Sequence, residues 1–161
     1  MRIGIGEDTH RLVPERKLIL GGVHVYEDGF DLGLLGHSDA DVLVHAIMDS
    51  LLGAAALGDI GKLFPDTDSC YKYADSLKLL SAVVAELRKH GFKVVNTDSV
   101  IIAQKPRLSP HIDAMRANIA AVLSVDISAV SVKATTPEHT GPEGRLECIT
   151  ARAVSLIESQ N

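Results

Sequence analysis

Residues 36–58 read GHSDADVLVHAIMDSLLGAAALG, and the layer architecture turns on what this stretch forms. Ser38, with Asp41 three residues on, fits a capping box. The run VLVHAIM at 42–48 is apolar except for His45, and Gly58 supplies a stop. A helix is therefore predicted from Ser38 to about Leu57. Toward the N-terminus, Lys17 to Tyr26 (KLILGGVHVY) carries β-branched residues around a Gly-Gly break, which predicts a hairpin or a bent pair of strands. Met1 to Gly6 reads as a short strand. Toward the C-terminus, Asp59 to Asp68 reads as loop. Ala74 to His90 then reads as a second helix, with Leu77, Leu80, Val84 and Leu87 on one face and Gly91 as its C-cap. Phe92 to Gln104 is strand-like, and Pro106 and Pro110 bracket a loop. Pro110 to Leu123 is a third helix, with Ile112, Met115, Ile119 and Val122 in register. Val130 to Thr135 and Leu146 to Ile157 read as strands joined by a loop from Thr136 to Gly144. This order predicts an α/β layered fold: a single sheet with helices on one face. The other face must then meet water or another subunit. Ile149, Ala151 and Ala153, on one side of the last strand, point to another subunit.

The chain has 161 residues, 46% hydrophobic and 23% charged, which suits one globular domain, residues 1–161. Lys and Arg total 16 against 21 Asp and Glu, a formal charge of -5. That balance argues against a nucleic-acid partner, which calls for a basic face. A small anionic substrate needs only a local cationic site or a metal. Cys70 and Cys148 stand far apart and in no CxxC pattern, so they read as reduced and cytosolic thiols. No apolar run approaches the roughly 20 residues of a membrane helix, so no membrane partner is expected. The opening MRIGIGEDTHRL has neither a signal-peptide core nor a transit-peptide bias. The expected compartment is the bacterial cytoplasm, or a plastid if the sequence is a mature form.

Asp8 and His10 are two residues apart, and in an extended segment such residues point the same way. Both can grip one ion; the plain alternative is a turn Asp beside a surface His. His45 strengthens the metal reading. Asp41 and Asp49 lie one turn before and one turn after it, and a metal-bound imidazole commonly gives its second N–H to a carboxylate. Asp8, His10 and His45 leave a fourth tetrahedral position open, as a catalytic zinc site requires. Gly4-x-Gly6 is not a nucleotide loop, since position 9 is Thr where a third Gly belongs; the two glycines are expected to admit a close neighbour. Gly36 to Asp41 puts polar groups at a helix N-terminus, where free N–H groups favour an anion, and His37 is placed to add a hydrogen bond. The run Lys133-Ala134-Thr135-Thr136-Pro137-Glu138 combines a cation, two hydroxyls and a carboxylate at a strand end, suited to phosphate and a second cation.

These pieces together resemble the 2-C-methyl-D-erythritol 2,4-cyclodiphosphate synthase family. The resemblance rests on GIGEDTHR (4–11), GHSDADVLVHAIMDSLLGAAALGDIGKLFPDTD (36–68), IIAQKP (101–106) and VKATTPE (132–138), and covers nearly the whole chain. It implies a homotrimer with active sites at subunit interfaces. It also implies conversion of 4-diphosphocytidyl-2-C-methyl-D-erythritol 2-phosphate to the cyclic diphosphate with release of CMP, a phosphorus–oxygen lyase reaction. By the same resemblance Asp8, His10 and His45 hold zinc, and magnesium or manganese sits on the nucleotide phosphates near Glu138. His37 and Thr136 stabilise the transition state. Implied substrate contacts are Asp8, Thr9, His10, His37, Ser38, Asp59, Ile60, Gly61, Phe64, Pro65, Asp66, Thr67 and Asp68. Ala103, Gln104, Lys105, Pro106, Arg107, Leu108 and Ser109 serve the cytidine end, with Thr135, Thr136, Pro137, Glu138 and Arg145 completing the set. Glu7 stands where an aromatic residue is common, Pro142 where Phe is frequent, and Leu146-Glu147-Cys148 replaces Gly-Glu-Gly. Ile5 and Arg152 replace a His and a Glu that face the trimer axis in some members. An anion or isoprenoid diphosphate on that axis is the expected partner of three Arg152 side chains, unless each turns outward to Glu147 or Glu158.

Two other readings use the same residues. A phosphoester hydrolase would take Asp59 or Asp66 as general base. A non-enzymatic trimeric module would need a closed structural zinc site of four ligands, where three are found. His24, His90, His111 and His139 lack a partner pattern and are expected to face solvent for the most part.

Overall fold

Residues 2–14 are extended throughout and make one long strand rather than the short one expected. The computed structural model describes residues 1–65, 67, 69–71 and 73–160. In it β1 spans Arg2–Pro14. The hairpin expected at 17–26 is β2 (Ile19–Leu20) and β3 (Val23–His24). A strand not expected, β4 (Leu32–Leu35), pairs antiparallel with the end of β1. Then come α1 (Val42–Ala55), a single turn α2 (Ile60–Leu63) inside the expected loop, and α3 (Ser76–Lys89). The rest is β5 (Phe92–Ile102), α4 (Ile112–Leu123), β6 (Val130–Thr135), a short α5 (Gly141–Gly144) and β7 (Cys148–Ser159).

The central sheet has five strands in the order β4-β1-β7-β5-β6. Only the β5–β6 pair is parallel, joined through α4; the other pairs are antiparallel. Helices α1, α3 and α4 lie on one face, as expected, with α1 seated on β1 and β7. Gly4 and Gly6 make that seating close. A Cβ on Gly4 would stand 2.0 Å from the Ser50 carbonyl oxygen, and one on Gly6 2.0 Å from that of Ala46. These are glycines of helix–strand contact, not of a phosphate loop. Leu43, Ile47, Met48 and Leu51 of α1 are wholly buried, each contributing about 1.5–3 kcal/mol of apolar burial.

Ile149, Ala151 and Ala153 do not face a partner. They are buried under α1, on the helix-covered side of the sheet. The period of two along a strand puts the opposite set outside. There Ile3, Ile5 and Val154 are 70%, 73% and 40% exposed. Glu7 and Arg152 face each other across β1 and β7 on this open face, and Arg152 Nε donates to Glu7 Oε2 at 2.5 Å. Arg152 thus turns neither to Glu147, which Arg145 holds at 2.7 Å, nor to Glu158, which Lys93 holds at 3.0 Å.

The start of α1 also differs. Its N-cap is Asp41, not Ser38. The Asp41 carboxylate accepts from Val44 N at 3.1 Å, Gly21 N at 3.0 Å and Gly22 N at 2.7 Å, so one buried side chain caps the helix and holds the β2–β3 turn. At the other end Ala56 takes the left-handed conformation (φ 59°) and closes the helix two residues before Gly58.

Candidate metal centre and active site

Asp8 and His10 alternate to the same face of β1, and the close seating of α1 brings His45, on its first turn, against them. Asp8 Oδ2 lies 2.9 Å from His45 Nδ1 and 3.0 Å from His10 Nε2, and the two nitrogens are 3.1 Å apart. Tetrahedral ligands at about 2.0–2.1 Å from one ion stand about 3.3 Å from one another. The triangle therefore fits a divalent cation with one position left open. His10 Nδ1 meets the Leu35 carbonyl of β4 at 2.9 Å; that ring nitrogen must carry the proton, which leaves Nε2 free to ligate. Burial alone would raise the Asp8 pKa, but hydrogen bonds and charge from His10 and His45 outweigh it and hold the carboxyl well below the ordinary range. The His45 imidazole is desolvated, which opposes its charge, yet the Asp8 carboxylate pulls its pKa upward.

The carboxylates expected to orient His45 do other work. Asp41 bonds only the backbone amides already described, and Asp49 accepts from Ile60 N at 2.8 Å, anchoring α2. Helical spacing put both near His45, but orphan N–H groups of neighbouring segments took them. The far nitrogen of His45, Nε2, instead meets two hydroxyls, Ser38 Oγ and Ser76 Oγ, each at 3.2 Å.

The triangle opens onto a cavity of about 420 Å³. His37, Ser38, Ile60, Gly61, Phe64 and Pro65 line it together with Met48, Tyr71 and Leu79, which the sequence did not single out. Phe64 and Tyr71 stack edge to face at 5.3 Å, making one wall. A second cavity, about 370 Å³, is lined by residues 103–109, Ala134, Thr135, Thr136 and Glu27.

A family model described as the YgbB family matches residues 1–158. The chain belongs to the YgbB family. Among its relatives is the 2-C-methyl-D-erythritol 2,4-cyclodiphosphate synthase of Chloroherpeton thalassium, 60% identical over 98% of this chain and 99% of that one. The bifunctional IspDF of Campylobacter jejuni is 40% identical with a TM-score of 0.94, over 99% of this chain and 42% of that one. IspF of Plasmodium falciparum, solved as a CDP complex, is 35% identical with a TM-score of 0.85, over 99% of this chain and 97% of that one.

Within this YgbB chain the expected site residues fall into two groups. Asp8 on β1, Ala151, Ile101 and Ala134 on β6 form one row across the sheet. Three strand spacings, about 14 Å, therefore separate the metal triangle from the end of β6. His37 and Ser38 follow β4 at one edge, whereas Thr135 ends β6 at the other and Thr136, Pro137 and Glu138 follow it. His37 and Thr136 are thus not brought together within one chain. Thr136 Oγ1 donates to Glu138 Oε1 at 2.5 Å, and His139 N donates to Gln104 Oε1 at 2.9 Å, tying that loop to the second cavity. Thr9 points to the open face, where its hydroxyl meets that of Thr150 at 2.8 Å. Asp59 caps α2 through Lys62 N at 2.9 Å and does not line the cavity. Thr67 is exposed, and Arg145 is paired with Glu147. Asp66 and Asp68 lie outside the described residues.

Proposed function

We propose that this chain cyclises 4-diphosphocytidyl-2-C-methyl-D-erythritol 2-phosphate to 2-C-methyl-D-erythritol 2,4-cyclodiphosphate, releasing CMP, in non-mevalonate isoprenoid precursor synthesis. One observation carries the reading: the Asp8–His10–His45 triangle opens onto a substrate-sized cavity in a chain related over nearly its whole length to synthases of that name. An oxygen of the 2-phosphate forms a bond to the β-phosphorus. The bond from that phosphorus to the bridging oxygen breaks, and CMP leaves with the electron pair. The reaction is that of a phosphorus–oxygen lyase and calls for no protein nucleophile.

The obstacle is repulsion between two anionic groups, so positioning and local positive charge carry the catalysis. A divalent cation on the triangle would supply that charge; two imidazoles and a carboxylate suit zinc. His37 and Ser38 donate to the phosphates at the mouth of the cavity. Thr136 donates from the β6 end, and Glu138, an oxygen ligand, would hold magnesium or manganese near the nucleotide phosphates. Ala103 to Ser109 receive the cytidine; the CDP bound by the Plasmodium IspF supports a cytidine site in this family.

The separation of the two groups of residues supports a site completed between copies, with residues 1–161 acting as one unit in a homotrimer. The exposed Ile3, Ile5 and Val154 supply apolar area for that assembly. The enzyme works in the bacterial cytoplasm, or in a plastid, and an anion or isoprenoid diphosphate on the trimer axis would compete with Glu7 for Arg152. Mass spectrometry of the reaction with the cytidylylated substrate tests the activity. Equal CMP and cyclic product are expected; an open-chain phosphate would instead make the protein a hydrolase.

A further inference from the structure

Behind His45, away from the cavity, runs a chain of hydrogen bonds that the reaction scheme leaves without a role. Ser76, the first residue of α3, is wholly buried, and its Oγ lies 3.2 Å from His45 Nε2. The same hydroxyl donates to Asp39 Oδ1, and Ser76 N donates to Asp39 Oδ2 at 2.9 Å. We infer that Asp39 and Ser76 are a positioning pair: they fix His45 as the tautomer protonated on Nε2, so that Nδ1 faces the metal. The inference rests on the metal reading given above.

The proton count decides the tautomer. An ionised carboxylate only accepts, and a hydroxyl has one proton to give. Asp39 takes the proton of Ser76. Ser76 Oγ therefore meets His45 Nε2 as an acceptor, which places hydrogen on Nε2 whenever a cation takes the Nδ1 lone pair. Ser38 Oγ, at 3.2 Å from the same nitrogen, also accepts from Ala40 N at 3.2 Å. The other tautomer would set the Nε2 lone pair against those of Ser76, and its Nδ1–H has the acceptor Asp8 Oδ2, at 2.9 Å, only while no cation occupies the triangle. Metal-binding histidines elsewhere have their second N–H held by such an acceptor, and losing that partner weakens metal binding about 10–100-fold.

The pair also joins two segments. Tyr73 N donates to the His37 carbonyl at 2.9 Å, and Asp39 N to that of Ala74 at 3.1 Å. Docking of residues 73–76 on residues 37–39 thus brings the Ser76 hydroxyl to His45. Metal affinity and the seating of the segment that carries Tyr71 are linked.

Ser76→Ala tests this without touching the α3 cap, which is Asp75 bonded to Leu77 N at 2.9 Å. Zinc affinity is read by competition with a chromogenic chelator, and the His45 Nε2–H by its ¹⁵N shift and exchange rate in the zinc-loaded protein. The expected result is zinc binding weakened about 10-fold or more, a shifted and faster-exchanging His45 Nε2–H, and a metal-free form that still unfolds cooperatively, at a lower temperature because Asp39 Oδ1 loses the buried Ser76 hydroxyl. Asp39→Asn is the second variant, and it carries the test if Ser76→Ala does not fold. Its amide can accept from the Ser76 N–H and donate to the Ser76 hydroxyl, which turns that hydroxyl's proton toward His45 Nε2 and removes the acceptor, so loss in the same direction is expected. Zinc affinity within about twofold of wild type in the folded variants, or an unmoved His45 Nε2–H signal, overturns the positioning pair. Wild type that binds no zinc, or zinc binding that survives His45→Ala, overturns the metal reading instead.

Discussion

At His45 the two ring nitrogens answer to different parts of the molecule: Nδ1 to Asp8 and His10, Nε2 to Ser38 and Ser76. Replacing it with Ala removes one corner of an open three-ligand site, which has no spare ligand to make up the loss. Purified His45→Ala is expected to hold no stoichiometric zinc by elemental analysis. The metal-free fold should survive at a cost of about 2–3 kcal/mol, since the surrounding α1 positions are apolar and tightly packed. Retained zinc would sink the assignment. At the other end of the sheet, Glu138→Gln keeps the side-chain shape and its hydrogen bond from Thr136 but removes the charge that attracts a hard cation. A higher magnesium or manganese requirement with unchanged zinc content is the expected outcome; zinc falling with activity would assign Glu138 to the first site. Asp8 and His10 were legible from their spacing of two, and His45 from being the one polar residue in an apolar run. Asp41 and Asp49 were misread because spacing reports which side chains are near, not which orphan amides compete for them. Ser76 and Asp39 were illegible, because their partnership with each other spans 37 residues and forms only in the folded chain.

For the elements, Asp41 shows how one side chain sets a boundary. Burial pushes its pKa up to about 6 while the amides of Gly22, Val44 and Gly21 pull it down. Ala at this position would leave three amide donors unsatisfied, two of them in the β2–β3 turn, and remove the α1 cap. A loss of about 3 kcal/mol or more is expected from urea unfolding of the metal-free protein. Asp41→Asn, which keeps one acceptor, should lose less; equal stability of Asp41→Ala and wild type would contradict the account. The sequence pattern placed three long helices, the hairpin, β5 and β6 close to where they stand, because each has a strong period or a glycine stop. It shortened β1, because the glycines at 4 and 6 hide the alternation by serving helix contact. It missed β4, whose four residues are too few to show a period. It began α1 at Ser38 because Ser38 and Asp41 fit a capping box, whereas the amides that claim Asp41 come from another hairpin.

Across the whole molecule, the open face of the sheet is the surface on which the proposed trimer would form. Layering and one-sided helices were readable in advance; which side of β7 was free was not, since alternation alone does not say which set the helices cover. The exposed set holds Ile3, Ile5 and Val154 beside the Glu7–Arg152 pair. Three copies around an axis would gather three such pairs. A ring of bare guanidinium groups would demand an anion, but here each has a carboxylate 2.5 Å away. Both partners are more than half exposed in one chain, so the pair adds little to monomer stability. In the proposed trimer, burial would strengthen the pair and weaken the pull on any outside anion. Thermal denaturation with pyrophosphate or geranyl diphosphate separates these roles. Wild type should gain a small stabilisation, Glu7→Gln a larger one because three guanidinium groups are released to bind the diphosphate, and Arg152→Ala none. An equal response in wild type and Arg152→Ala would mean that Arg152 does not form the axial site. A response in Glu7→Gln no larger than in wild type would mean that the Glu7 carboxylate does not compete with the anion.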